Sequence, residues 1–240
     1  MKIFKNLTIL ATLYFLGVTF LYAASGSGLA TVYKINVNKL ELCETGSSVT
    51  TCLNPITVSK AGLSTDVDLA SISAGETAAT LGNFGLAKSG VTYTYVQMTM
   101  NRAITIKGSA TANSTVCYTK GDGNLNGTHG VAETTSGDST EATLYVPPFV
   151  DPAKFPEVNS VGDATGAGAR IAGTVNASDT HFQARQALAA PFILDPTAIP
   201  TVKVAFGTAT AVTVSNGASC DGAARMYATP PDATITIQGQ

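Results

Sequence analysis

The sequence predicts an all-β protein: an antiparallel β-sandwich with long loop insertions and at most one short helix. Three observations predict it. Apolar and polar residues alternate with a period of two through segments rich in Val, Ile, Thr and Tyr. Gly, Asn and Pro punctuate those segments at short intervals. Four cysteines follow an export-like leader, the pattern of a domain stapled by disulfides in an oxidising compartment.

The leader comes first in the chain. Lys2 and Lys5 precede an apolar run from Leu7 to Tyr22, and Ala23 and Ala24 close it. A basic start, a hydrophobic stretch and small residues at the cut make a secretory signal peptide over residues 1–24. The run is shorter than the roughly 20 residues of a spanning helix. Residues 25–240 are then expected as one β-sandwich domain, secreted or at the cell surface, with a periplasmic location as the other option. The Ser-Gly-Ser-Gly stretch at 25–28 reads as a loose mature N-terminus.

Strands are expected over 30–42, 49–58, 92–100, 103–107, 142–146, 169–175, 201–206, 211–214 and 233–237, at the spacing of a sandwich or barrel. Tyr33, Ile35 and Val37 share one face of the first. In the third, Thr94, Val96, Met98 and Met100 oppose Tyr93, Tyr95, Gln97 and Thr99. Residues 119–168 read as a loop-rich insertion, polar over 119–140 and then interrupted by Pro147, Pro148, Pro152 and Pro156. A split into two sheets near residue 150 is the alternative. One short helix is expected over 180–190, where Thr180 and Gln183 have capping-box spacing and Pro191 ends it.

Cys43, Cys52, Cys117 and Cys220 allow three pairings. Cys43 and Cys52 flank a hairpin-like turn, so a local bridge is expected, leaving Cys117 with Cys220 to close the long loop. On the chain-entropy argument the short bridge contributes a little under ~3 kcal/mol and the long one nearer ~5. No C-x-x-C spacing points to redox or zinc chemistry.

Composition narrows the functions. Without Lys2 and Lys5 the chain has 12 basic and 16 acidic residues, a net charge of −4. Nucleic-acid binding asks for clustered Lys and Arg, which are absent. Charged residues are 12% of the chain, about half the usual share, so little charge repulsion opposes self-association.

The stretch Asp66-Val-Asp-Leu-Ala-Ser-Ile, the Gly75 turn, Leu81-Gly82, and Gly90-Val-Thr-Tyr-Thr-Tyr-Val-Gln-Met resembles an uncharacterised family of bacterial exported β-sandwich domains. Their sheets are similar to transthyretin-like and carboxypeptidase-regulatory-like modules, and Pro200-Thr-Val-Lys-Val-Ala-Phe follows the same spacing. The resemblance covers about a third of the chain. It implies a sandwich with non-enzymatic surface roles and carries no catalytic residue across. The 119–168 insertion and the four cysteines depart from the pattern.

One motif carries metal chemistry. Asp122, Asn124, Asn126, Thr128 and Glu133 fit D-x-[DN]-x-[DN]-G-x5-E, with Gly127 at the turn. Oxygens at positions 1, 3, 5 and 7 and a bidentate Glu at 12 would hold Ca²⁺, the one cofactor the sequence suggests. No helical pattern flanks the loop, and two carboxylates predict weak affinity. His129 and His181 have no second His or Cys at metal spacing, and no G-x-S-x-G elbow or phosphate-cradling glycine loop occurs. The chain is therefore expected not to be an enzyme.

Two non-enzymatic readings follow. The leading one is a surface or extracellular structural subunit that assembles with copies of itself. Its edge would be the C-terminal segment 230–240, which carries one charge, Asp232, and could complete a neighbour's sheet. The runner-up is a glycan- or ligand-binding module, in which Tyr93 and Tyr95 form an aromatic platform on one strand face. Neither needs nucleic acid or, after signal cleavage, a membrane.

Overall fold

A computed structural model describes residues 25–59, 65–71, 82–123, 130–133, 136–148, 155–198, 200–215, 220 and 224–238. The expected signal peptide, residues 1–24, lies outside them. Fifteen strands and three single-turn 3₁₀ segments make up the regular structure of the described residues. The all-β expectation holds.

One antiparallel pair of lines is the backbone of the architecture. β1 (Ser25–Gly28) runs on into β2 (Ala30–Glu44). Opposite it, β5 (Thr92–Asn101) and β6 (Ala103–Ala112) form one bent line interrupted at Arg102. Val37 to Glu44 ladder onto β5, and Ala30 to Lys34 onto β6. β3 (Ile56–Thr57) and β4 (Thr65–Asp68) pair with β2 as well.

At Arg102 the sheet divides. β5 takes β11 (His181–Ile193) as its second neighbour, which in turn pairs with β10 (Val158–Val161). The first half of β6 takes β9 (Ala142–Tyr145), and its second half takes β7 (Thr115–Gly121). From there the order runs to β8 (Gly130–Glu133), β14 (Arg225–Ala228), β13 (Val212–Ser215) and back to β1. This sheet curls until β1 meets β6 again. Gly26 and Gly28 permit the meeting: a Cβ on them would lie 1.8 and 2.2 Å from the carbonyl oxygens of Thr111 and Ser109. Residues 25–28 are thus a strand with a required composition, not the loose tail expected from Ser and Gly content.

The C-terminal strand also finds a partner. β15 (Asp232–Gln238) ladders along its whole length with β12 (Thr201–Gly207) and touches β11 in parallel at Leu188 and Ile235. β12, not β15, forms that edge of the sheet order. Residues 232–238 therefore do not have the free edge expected for them.

Four further expectations differ, the first being 49–58, of which only Ile56–Thr57 is a strand. Residues 181–193 are strand, because pairing with β5 from His181 to Ala187 outweighs the helical preference of Gln, Ala and Arg. Residues 169–175 hold no strand, and Ile171 is exposed. The insertion 119–168 contributes β8, β9 and β10 in place of continuous loop.

Two apolar clusters fill the interior. The larger gathers Tyr33, Val37, Met100, Ile106, Val158 and Met226, among others, between the curled sheet and β2–β5–β11. The smaller joins Leu42, Val58, Tyr93, Phe192, Ile235 and Ile237 beside the β12–β15 pair. Both disulfides form as expected. Cys43–Cys52 has its Cα atoms 5.1 Å apart, and Cys117–Cys220 has 5.3 Å.

Candidate functional site

The bent line and its divided neighbours leave space inside the larger cluster. A cavity of about 90 Å³ lies between β2, β5 and β11 on one side and Val146, Glu157 and Val158 on the other. Alternation supplies its walls: Ile35 and Val37 from β2, Met98 and Met100 from β5, and Phe182 and Ala184 from β11. These strands ladder on one another, so their same-face side chains form one apolar wall. Tyr33 completes it with its hydroxyl donating to the Thr229 carbonyl at 3.0 Å. Burial pushes that phenol far above its ordinary pKa, so it stays neutral.

The cavity leads outward. Phe206, Pro230, Pro231 and Ala233 border both it and a wider open groove, with Glu157 and Gln186 at the junction. Asp232 lines the groove but not the cavity. A mostly apolar pocket that opens beside polar groups holds a ligand's apolar part inside and its polar part in water.

The residues expected to bind ligands behave differently. Tyr93 is buried, its ring centroid 6.3 Å from that of Phe192 and its hydroxyl accepting the Lys88 N–H at 3.0 Å. Tyr95 is half-buried. The two do not share an open face, because β5 carries an extra residue at Thr94. Cys43 pairs with Tyr95 and the next residue, Glu44, with Tyr93. The bulge turns Tyr93 to the core side, into the cluster that holds Val96.

Of the expected calcium ligands, Asn124, Asn126 and Thr128 lie outside the described residues. Asp122 follows β7, and its Oδ1 accepts the main-chain N–H of Thr143. Glu133 ends β8 opposite Tyr118. Among the described residues no group of three or more His, Cys, Asp and Glu gathers as a metal site.

A buried polar centre was missed from the sequence. Arg102 is fully buried at the bend. Its guanidinium donates to the carbonyls of Val146, Pro147, Asn176 and Asp179. An isolated Arg between two strands reads as a turn residue, and no local pattern reveals that two strands part around it.

No protein-family model matches the chain, and neither a curated protein nor a solved structure does.

Proposed function

We propose that the protein is an exported, non-enzymatic β-sandwich that binds a small ligand through its apolar part. The cavity carries this reading. Close-packed interiors leave few voids larger than a water molecule, and an apolar void stays dry and accepts apolar guests. A cavity of about 90 Å³ suits a short aliphatic chain or a small branched group. The lining is mostly aliphatic and aromatic, with Glu157, Arg185 and Gln186 as its charged and polar members, which supports binding of an apolar group. The two disulfides are those of a protein in an oxidising compartment, and the basic-apolar-small leader supports export as the way there.

The methionine methyls report on occupancy. With ¹³C-methyl-methionine protein and a series of n-alkanols, Met98 and Met100 should shift saturably, while Met226, outside the cavity lining, stays in place. Unperturbed Met98 and Met100 signals across the series would overturn ligand binding at this site.

Assembly with copies of itself is supported by a different observation, the position of β12 at the end of the sheet order. Light scattering on the oxidised protein tests it. Concentration-dependent growth that an added Pro at Val202 suppresses supports edge pairing, and a monodisperse monomer at all concentrations rejects it.

A further inference from the structure

The face of β2, β5 and β11 opposite Ile35, Met98 and Phe182 carries a second arrangement, and it is polar. Strand register aligns its side chains in rows. One row runs from Lys39 through Thr99 and Gln183 to Asn159 on β10. The next runs from Glu41 through Gln97 to Arg185. Glu41, Gln97, Thr99, Asn159 and Gln183 are all at least nine-tenths buried.

Part of this block is internally satisfied. Lys39 Nζ lies 2.6 Å from Glu41 Oε1, and Gln97 Nε2 donates to Glu41 Oε2 at 2.8 Å. Asn159 Nδ2 and Arg185 Nη2 both donate to Gln183 Oε1 at 3.3 Å. These contacts orient the amides, because a carboxylate only accepts and the Gln183 oxygen is shared by two donors. The turn from Gly162 to Gly168 roofs the first row. Lys39 also donates to the Thr165 carbonyl, and Gly166, at φ +88°, lets the turn approach so closely that a Cβ would lie 2.8 Å from Gln183 Nε2.

The remainder is unsatisfied. Arg185 Nε and Nη1, Gln97 Oε1, Thr99 Oγ1 and Asn159 Oδ1 are shielded from solvent and make no hydrogen bond. Buried polar groups are overwhelmingly paired, so five such atoms on adjoining positions of one face form an exception with a chemical pattern. Lys39 is neutralised by Glu41, which leaves Arg185 as the unbalanced positive charge. Its free N–H groups and the Thr99 hydroxyl match an anionic oxygen. The Gln97 and Asn159 oxygens accept only, and call for donors on the same guest.

We propose that this block is a binding site for a small carboxylate that also carries hydroxyl or ammonium groups. Its rows lie on the opposite face of the strands from Met98, Met100 and Phe182, and Arg185 also borders the apolar cavity. Burial also lowers the pKa of Arg185, against the pull of Glu41, as expected of a cation short of partners.

Isothermal titration of the folded, oxidised protein with D-glucuronate, glycerate and L-serine tests the site, with D-glucose and glycerol as neutral counterparts. At least one carboxylate should bind saturably where the neutral probes do not, and Arg185→Gln should weaken it at least about tenfold. Should that variant fail to fold, Thr99→Val, which keeps the shape and removes the hydroxyl, should weaken the same probe. Absence of binding by all three carboxylates to the folded wild type overturns the proposal, leaving ordered water as the guest. Binding unchanged in the folded variant overturns it equally.

Discussion

Arg102 Nη1 donates to the main-chain oxygen of Asp179 at 2.9 Å, while the Asp179 carboxylate accepts from Ser160 Oγ at 2.6 Å and Arg170 Nε at 3.1 Å. The two residues thus tie the place where β11 and β9 part from the β5–β6 line. Arg102 N–H reaches the Thr180 carbonyl just before β11, and its own carbonyl accepts from Val146 just after β9. Four carbonyls at the split owe their donor to one side chain. Arg102→Met should therefore destabilise by on the order of 3–5 kcal/mol, measured by urea unfolding with disulfides intact. Arg102→Lys should lose less, because an ammonium keeps the charge but cannot span four acceptors. A loss below about 1 kcal/mol for Met would show that the carbonyls find other donors.

The same pair predicts acid sensitivity. Burial alone would raise the pKa of Asp179, yet hydrogen bonds from Arg170 and Ser160 and the charges of Arg170 and Arg102 hold it below the ordinary carboxylate value. A depressed folded-state pKa contributes stability that is present above the unfolded value, about 3.9, and lost as pH falls through the folded one. Wild-type stability should fall as pH drops below about 4, and Asp179→Asn should be less stable at neutral pH with a shallower acid slope. Asp163 and Asp195 are depressed in the same direction by their Thr165 and Thr197 hydrogen bonds, so some slope persists. An unchanged slope in Asp179→Asn would place the acid sensitivity elsewhere.

Period-two alternation made the strands legible wherever one face meets a core, as in 30–42 and 92–100. It failed where pairing is long-range. Residues 181–193 carry helix-compatible Gln, Ala and Arg, and only the ladder to β5 makes them strand. Gly26 and Gly28 look like linker, because close backbone approach leaves no local signature. The cavity and the polar rows on the other face depend on register between β2, β5 and β11. Register is set by bulges such as that at Thr94, which a single sequence does not reveal. The cysteine pairs were legible because Cys43 and Cys52 bound one short turn.

Loop length separates the two disulfides. Cys43–Cys52 spans 9 residues and Cys117–Cys220 spans 103. On the chain-entropy argument the longer bridge restricts the unfolded chain more, by roughly 4–5 kcal/mol against a little under ~3. Cys117→Ala/Cys220→Ala should lower Tm more than Cys43→Ala/Cys52→Ala in parallel calorimetry. The reverse order would mean that the short bridge holds native structure beyond its loop.

The close approach of β1 to β6 makes a sharp prediction at Gly26 and Gly28. Each lacks room for a Cβ against backbone, which cannot rotate away as a side chain does. Gly26→Ala or Gly28→Ala should detach β1 from β13 and β6. Hydrogen exchange should then quicken at Gly26 to Gly28 and at the facing Val212 to Ser215, with the β5–β11 ladder unchanged. Exchange like that of wild type at Val212 to Ser215 would show that β1 contributes no protection.

The cavity predicts a stabilising substitution that closes the proposed ligand site. Ala184 faces Met98 across the ladder, packs on the larger cluster and lines the void. Leu at this position adds three carbon atoms to a space of about 90 Å³. Filling a dry void restores dispersion contacts its walls lack, so Ala184→Leu should raise stability by about 1 kcal/mol in denaturant unfolding. The same variant should abolish the alkanol-induced shifts at Met98 and Met100. A destabilised variant would mean that the walls are too rigid to accept the branch, since overpacking costs about 1–3 kcal/mol. A stabilised variant that still binds alkanols would place the guest in the outer groove, between Phe206 and Pro231, and confine the cavity to a packing defect.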